Sequence, residues 1–347
     1  MARSSYVLNA AAYLHPSCTE RDRVRFQSDV VAALGAHLPA WTAVSPANAV
    51  LTHVSGAMTN VIFTCEKRVA PQDKVLVRIY GHGTEAFFSR QEEIRVFQEL
   101  SRQNLGVSLL GEFQNGRVES MIDGRTATAS DIRIPEFSAK IAKKMALFHT
   151  TQVDMDRNPR ILNNIHKLFK DAKTAYASGN RTSFDVDAMA RDIQALEALL
   201  ATVDSPVVFC HNDLQYGNIM ATDTNDAVMI DFEYSHYNPR GYDLGNHFSE
   251  WCYDYHGAAP HMGDFCKYPT VAEQRHFCAA YLGDSATEST VEDLRHEANV
   301  YANATHLFWS LWGFIQATQS AIDFDYFGYA MCRWNAFKMQ VSMQNRY

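Results

Sequence analysis

The stretch Cys210-His211-Asn212-Asp213-Leu214-Gln215-Tyr216-Gly217-Asn218-Ile219-Met220, followed by Met229-Ile230-Asp231-Phe232-Glu233, decides how this chain is read. It sets one carboxylate, an amide five positions on, and a second carboxylate thirteen beyond that. Residues 206–210 are apolar and largely β-branched, which predicts a short buried strand feeding a polar loop. Residues 219–221 and 227–230 predict two more short strands, and Thr222-Asp223-Thr224-Asn225-Asp226 between them is turn chemistry. A hairpin there returns Asp231 to the end where Asn218 began.

Asp and Asn are common in turns, so a lone His-x-Asp would be read as loop residues. The whole set, with strands at the right places, points to phosphoryl transfer from Mg-ATP to a hydroxyl. That reaction needs one Asp to accept the hydroxyl proton, and an Asn and another Asp to hold hard cations through oxygen. The spacing follows the kinase pattern H-x-D-x-x-x-x-N, with D-F-E where protein kinases carry D-F-G. Three runs carry a resemblance: residues 211–220, Ile230-Asp231-Phe232-Glu233-Tyr234-Ser235, and residues 238–251, Asn-Pro-Arg-Gly-Tyr-Asp-Leu-Gly-Asn-His-Phe-Ser-Glu-Trp. They resemble the choline/ethanolamine kinase family, over a likeness that runs from about Leu51 to the C-terminus. Aminoglycoside phosphotransferases and protein kinases are more distant relatives with the same core. The resemblance implies a bilobal, protein-kinase-like α/β (α+β) fold. A small β-rich N-lobe over residues 1–123 would clamp ATP, and a larger, mainly helical C-lobe over residues 124–347 would carry the catalytic loop and the amino-alcohol pocket.

Composition agrees with a globular enzyme. Apolar residues make up 47% and charged residues 20% of the 347, which is ordinary. A net charge of −8 lacks the basic excess of a general nucleic-acid binder. No run approaches the roughly 18 apolar residues of a membrane span. The first residues lack the apolar core of a secretory leader. Seven scattered cysteines with no C-x-x-C pair read as reduced thiols, without a zinc site, in a cytoplasmic protein.

Residues 1–20 carry little signal, and whether they are ordered stays open. Residues 19–38 predict a helix with Thr19 as cap, Asp22 three later, and Pro39 ending it. Strands are predicted at 50–54 and 61–65, joined by Ser55-Gly56-Ala57-Met58-Thr59-Asn60. Beside a kinase core, small residues there read as a phosphate loop, with Gly56, Ala57, Thr59 and Asn60 as ATP contacts. The family usually has two adjacent glycines where this chain has Gly56-Ala57. Arg78, in the strand at 74–80, falls where the protein-kinase fold carries its Lys, and this family resembles the chain in using Arg. A guanidinium can grip two phosphate oxygens at once. A helix over 85–104 should turn Phe88, Ile94, Phe97 and Leu100 inward. The resemblance makes Glu93 the ion-pair partner of Arg78, with Glu92 one place away as the alternative. A hairpin follows, turning at Asn115-Gly116. Its second strand, with Glu119 and Met121, corresponds to the hinge whose backbone meets adenine. Asp123-Gly124-Arg125 reads as a linker. Helices are expected over 134–151 and 185–203, with residues 152–183 polar and irregular. His149, near a helix end, reads as structural.

The segment after Asp231 should choose the acceptor. The resemblance makes Asp243 a brace for the catalytic loop. A helix over 297–319 puts Trp309 and Trp312 on one face. A quaternary ammonium has no N–H to donate, so aromatic faces and a nearby carboxylate hold it. The resemblance selects Tyr255, Trp309, Trp312 and Tyr329 as that cage, with Glu250 as the acidic neighbour. Residues 250–255 look choline-kinase-like and residues 322–330 look nearer to ethanolamine kinases, so both acceptors stay open. In the implied mechanism Asp213 is the base and contacts the substrate hydroxyl. Asn218 and Asp231 hold Mg2+, Gln215 and Glu233 support the ions through water, and Arg78 neutralises phosphate charge. A homodimer is what the family suggests. Two rivals remain: a kinase of the same fold with another acceptor, such as an aminoglycoside, and a non-catalytic, kinase-shaped binding protein.

Overall fold

A computed structural model describes residues 4–15, 17–54, 60–80, 90–103, 105–177, 184–320 and 322–344. The chain divides into two compact units, Met1–Asp123 and Gly124–Tyr347.

The first unit is built on a five-stranded antiparallel sheet. Its strands are β1 (Ala49–Val54), β2 (Asn60–Lys67), β3 (Ala70–Tyr80), β4 (Leu109–Phe113) and β5 (Gly116–Ser120), in the order β1-β2-β3-β5-β4. Alternation along β2 and β3 sends Phe63, Cys65, Val75, Val77 and Ile79 to one face. There they pack with Phe26, Val30 and Leu34 of helix α2 (Glu20–His37). Thr19 caps α2 in a reciprocal capping box with Asp22. Within the first twenty residues, whose order the sequence left open, α1 spans Ala10–Leu14 and Leu8 is 2% exposed. Ser4 N–H donates to Glu112 O, and Leu8 N–H to Asn115 Oδ1. Backbone pairing beside the β4–β5 turn fixes this segment, and no apolar period is needed for that. Helix α3 (Arg90–Arg102) buries Glu93, Val96, Phe97 and Leu100 at helical spacing, while Ile94 is only half-buried. That stripe places Glu93 inward rather than Glu92.

The second unit opens with β6 (Gly124–Thr126), which pairs with β8 (Ile219–Thr222), itself paired with β9 (Ala227–Met229). The step read as a linker thus enters a strand. Gly124 has φ +152°, and a Cβ there would lie 2.3 Å from Ala221 O, so the position requires glycine. β7 (Val207–Cys210) pairs with β10 (His236–Pro239). Among the described residues, seven α-helices complete the unit: α4 (Pro135–His149), α5 (Ile161–Ala177), α6 (Val186–Leu200), α7 (Arg240–Glu250), α8 (Val271–Leu282), α9 (Glu288–Gln319) and α10 (Tyr326–Gln344). Helix α5 corrects the irregular reading of 152–183. Its charged face hid a stripe of Ile161, Ile165, Leu168, Ala172 and Tyr176, all buried. Helix α9 starts nine residues before the expected 297, capped by Thr287. It packs against α5, α7 and α10.

Candidate active site

In the first unit, Arg78 on β3 stands directly opposite Arg117 on β5. Two facing guanidinium groups would repel. Glu119, two residues along from Arg117 and so on the same face, answers both: Oε1 accepts from Arg78 Nε at 2.7 Å and from Arg117 Nε at 2.7 Å. Arg117 Nη1 also reaches Glu93 Oε1 at 2.8 Å, and its guanidinium lies 4.1 Å over the Phe97 ring. All four charges are under a tenth exposed. Burial alone would raise the Glu119 carboxyl, but Arg78 and Arg117 outweigh it and hold it low. Glu119 also has strand partners on both sides, Leu76 and Leu109. It serves the structure as an arginine anchor, and Met121 lies just past the strand end. Arg117 gave no signal in the sequence, because its role appears only once β3 and β5 are in register. Gly56, Ala57 and Thr59 lie outside the described residues; Asn60 opens β2 and is buried.

In the second unit, β7 delivers His211 into a loop pinned from several sides. Asp243, in the first turn of α7, accepts from His211 N–H at 2.8 Å and Asn212 N–H at 2.7 Å. It also binds His149 Nε2 at 2.9 Å, and Tyr281 OH holds His149 Nδ1 at 2.6 Å. Burial opposes charge on Asp243, yet the His149 hydrogen bond and charge, with help from His211, keep its carboxyl below the ordinary value. His211 Nδ1 accepts from Asp213 N–H, and Nε2 donates to Ile230 O at 2.9 Å, tying the loop to the strand that leads to Asp231. His149, Cys210 and Asp243 bring potential metal-ligating atoms within 4.8 Å, but each is buried and bonded into this brace.

Asp213 is half-buried at the head of the loop. Asn218 Nδ2 donates to Asp213 Oδ2 at 2.9 Å and to Asp213 O at 2.8 Å, leaving Asn218 Oδ1 outside these bonds. Ile230 N–H donates to Asn218 O, so the hairpin sets Asp231 beside Asn218. Asp231 and Asn212 both have φ +66°, a left-handed conformation that costs a non-glycine residue free energy and re-aims its side chain. Gln215 Oε1 accepts from Gly217 N–H at 2.7 Å, capping its own turn. Burial, then Glu250, Asp231 and Glu233, push the Asp213 carboxyl well above the usual range. So many carboxyl groups so close, with an amide oxygen alongside, make a donor set that fits a hard divalent cation.

Beside Asp213 is an aromatic wall. Glu250, at the end of α7, accepts from Tyr255 OH at 2.8 Å and pairs with Arg333 of α10. Tyr253 stacks on Tyr255 at 5.7 Å and meets Tyr329 edge-on at 5.6 Å. Trp312 is 6.3 Å from Tyr329 and 5.6 Å from Trp309. The two tryptophans differ: Trp312 is half-buried, whereas Trp309 is 5% exposed and donates Nε1–H to Asn246 Oδ1 at 2.8 Å. Arg333 escaped the sequence reading, and Tyr253, within the run 250–255, was not among the residues selected for the cage. Arg333 lies four residues after Tyr329, a helical spacing that shows its meaning only once α10 is recognised.

A family model described as choline/ethanolamine kinase matches residues 51–338. The chain belongs to the choline/ethanolamine kinase family. It is 38% identical to probable choline kinase 2 of Arabidopsis thaliana, over 92% of this chain and 93% of that protein. It is 34% identical to the human choline/ethanolamine kinase, over 87% and 82% respectively. Among solved structures it is similar to an ethanolamine kinase of Plasmodium vivax, with a TM-score of 0.79 at 26% identity, covering 92% of this chain and 90% of that one. The protein-kinase-like fold and the family's kinase chemistry, with ATP as phosphoryl donor, follow from that membership.

Proposed function

We propose that this chain phosphorylates the hydroxyl of choline, ethanolamine or both at the expense of ATP, supplying phosphorylated head groups for phospholipid synthesis. The observation that carries the reading is the braced Asp213, held by Asn218 and set next to a wall of tyrosines, tryptophans and one acid. Asp213 takes the hydroxyl proton and orients the oxygen for attack. Its raised proton affinity suits a base, and the brace through Asp243, His211 and Asn212 holds it in place. Asn218 and Asp231 would hold Mg2+, with Gln215 and Glu233 as supporting groups. Bound there, Mg2+ supplies charge neutralisation for the phosphates. In the first unit, Arg78 is assigned to phosphate charge, oriented by Glu119 and the Glu93–Arg117 pair. Gly56, Ala57, Thr59, Asn60 and Met121 complete the assigned nucleotide contacts. Tyr255, Trp309, Trp312 and Tyr329 face the amine, with Glu250 beside them. No helix among the described residues is long and apolar enough to cross a membrane. All seven cysteines are free thiols, in keeping with a cytoplasmic assignment. Family likeness adds a homodimer, which light scattering of the purified protein tests.

The test is a coupled ATP-turnover assay with choline and with ethanolamine, each over a concentration range with Mg2+ present. Saturable turnover with either amine supports the reading. No turnover with either, from protein that binds ATP, overturns the acceptor assignment.

A further inference from the structure

The acid of the amine wall is not an open carboxylate. Glu250 is 1% exposed, and both its oxygens are engaged: Oε1 by Arg333 Nη2 and Oε2 by the Tyr255 hydroxyl. Arg333 is fully buried and built into the same wall. Its Nε donates to Tyr329 OH at 3.1 Å, and its guanidinium lies 4.1 Å over the Tyr253 ring and 5.2 Å from the Tyr329 ring. Arg333, Tyr253 and Tyr255 therefore form a stack, with Glu250 clasped at both ends of it. Burial works against the charge on Arg333, but Glu250 and the surrounding tyrosines outweigh it. The pair is neutral as a unit. Three groups among the described residues of this wall are left without a partner, Arg333 Nη1, Asn246 Nδ2 and Trp312 Nε1, and all three are donors.

The chemistry of the two amines differs where this wall is selective. A trimethylammonium donates no N–H, so it is held by ring faces and a nearby acid without requiring a free hydrogen-bond acceptor. A primary ammonium has three N–H donors, each of which loses water on entry and costs free energy if it finds no acceptor. A wall rich in aromatic faces and spare donors, whose one acid is already clasped, suits the first cation and penalises the second.

We propose that Arg333 is a positioning residue that sets the amine preference: by clasping Glu250 it makes the pocket a choline site and disfavours ethanolamine. This rests on the amino-alcohol kinase reading above. It adds that the choice lies in a residue that touches Glu250 and the cage tyrosines rather than the reacting atoms.

The experiment compares kcat/KM for choline and for ethanolamine in the wild type, Arg333→Met, Tyr255→Phe and the double variant Glu250→Gln/Arg333→Met. The wild type should favour choline. Arg333→Met frees a carboxylate oxygen and should move the choline-to-ethanolamine ratio about tenfold toward ethanolamine, the worth of one charge-assisted hydrogen bond. Tyr255→Phe frees the other oxygen with little change of shape and should move the ratio the same way. The double variant, with no carboxylate to free, should not move toward ethanolamine. KM for ATP should stay within about twofold throughout, a selectivity that general loosening of the fold would not give. A wild type that favours ethanolamine overturns the proposal. So does an unmoved ratio in active Tyr255→Phe, which decides the matter if Arg333→Met does not fold. Absence of turnover with either amine in the wild type is a different result: it removes the kinase reading itself, and this proposal with it.

Discussion

Asp213, the proposed base, shows how a catalytic role and the stability of the fold pull apart. Its carboxyl sits among Glu250, Asp231 and Glu233, partly out of water, and all of these disfavour its charge. Asp213→Asn keeps the shape and an acceptor for Asn218 while removing the base. Turnover should fall by about 10²- to 10⁴-fold, the usual worth of a positioned general base. The melting temperature should hold or rise, since one member of a crowded acidic group is gone. Substantial phosphoryl transfer by the folded variant would sink the assignment of the base. Trp312 gives the matching test for the amine wall. It is the half-buried member of the tryptophan pair, whereas Trp309 is buried and tied to Asn246. Trp312→Ala should weaken choline by about 1–2 kcal/mol, roughly tenfold in KM, with KM for ATP unchanged. An equal loss for both ligands would instead assign Trp312 to packing. Both residues could be singled out in the sequence, since their chemistry is local. Arg117, Arg333 and Asn246 could not, because each matters only through a partner far away in the chain.

At the scale of elements, helix α7 organises the site. Asp243, Asn246, His247 and Glu250 recur at helical spacing and are all buried. A polar stripe buried along a helix is expensive unless every group is used. Here Asp243 braces His211 and Asn212, Asn246 Oδ1 accepts from Trp309 while its Nδ2 has no partner, and His247 Nδ1 donates to Leu214 O at 2.9 Å. Glu250 completes the stripe on the amine wall. The helix can come this close to α9 only because Gly245 has no side chain. A Cβ there would lie 2.6 Å from Ala298 O and from Ala302 N. Gly245→Ala should therefore push α7 off its seat, costing about 1–3 kcal/mol in chemical denaturation, with kcat falling as the stripe shifts. Unchanged stability and rate would show that α9 gives way instead. The spacing D-x-x-N-H-x-x-E stands in the sequence, but a polar period by itself does not show whether it faces water or a partner helix. The irregular reading of 152–183 failed for another reason. Helix α5 carries its five buried positions at helical spacing, but Asn, His, Lys and Asp residues interrupt them and the stripe went unrecognised.

Across the whole molecule, the strands, turns and capped helices were legible wherever the signal was local. Thr19 with Asp22, the Asn115-Gly116 turn and the hairpin after Asn218 are of that kind. What stayed hidden was the set of buried polar groups, because burial depends on how distant elements meet. Among them are His211, His247 and His306, all fully buried. Burial pushes each of their pKa values down, that of His247 from 6.5 to about 4. His247 uses both nitrogens as a neutral ring, donating to Leu214 O and accepting from Trp251 Nε1 at 3.3 Å. The unfolded chain takes up a proton on this ring near pH 6.5, whereas the folded chain resists until about pH 4. Over that window the unfolded state holds more protons, so stability rises with pH and is lost as acid is added. For His247 alone the full window is worth about 3 kcal/mol. The buried Asp243, whose carboxyl is depressed, adds a further loss only at lower pH, below the ordinary carboxylate range. We expect the denaturant midpoint to fall steadily from pH 6.5 toward pH 4, before the bulk of the carboxylates titrate. His247→Asn, which keeps a donor for Leu214 O but does not titrate, should flatten that slope by up to one proton while costing some stability at pH 7. A midpoint that is level from pH 6.5 to 4.5 in the wild type would mean that these rings accept protons in the folded state, and that the tautomer holding Leu214 next to Asp213, the proposed base, is not fixed by burial.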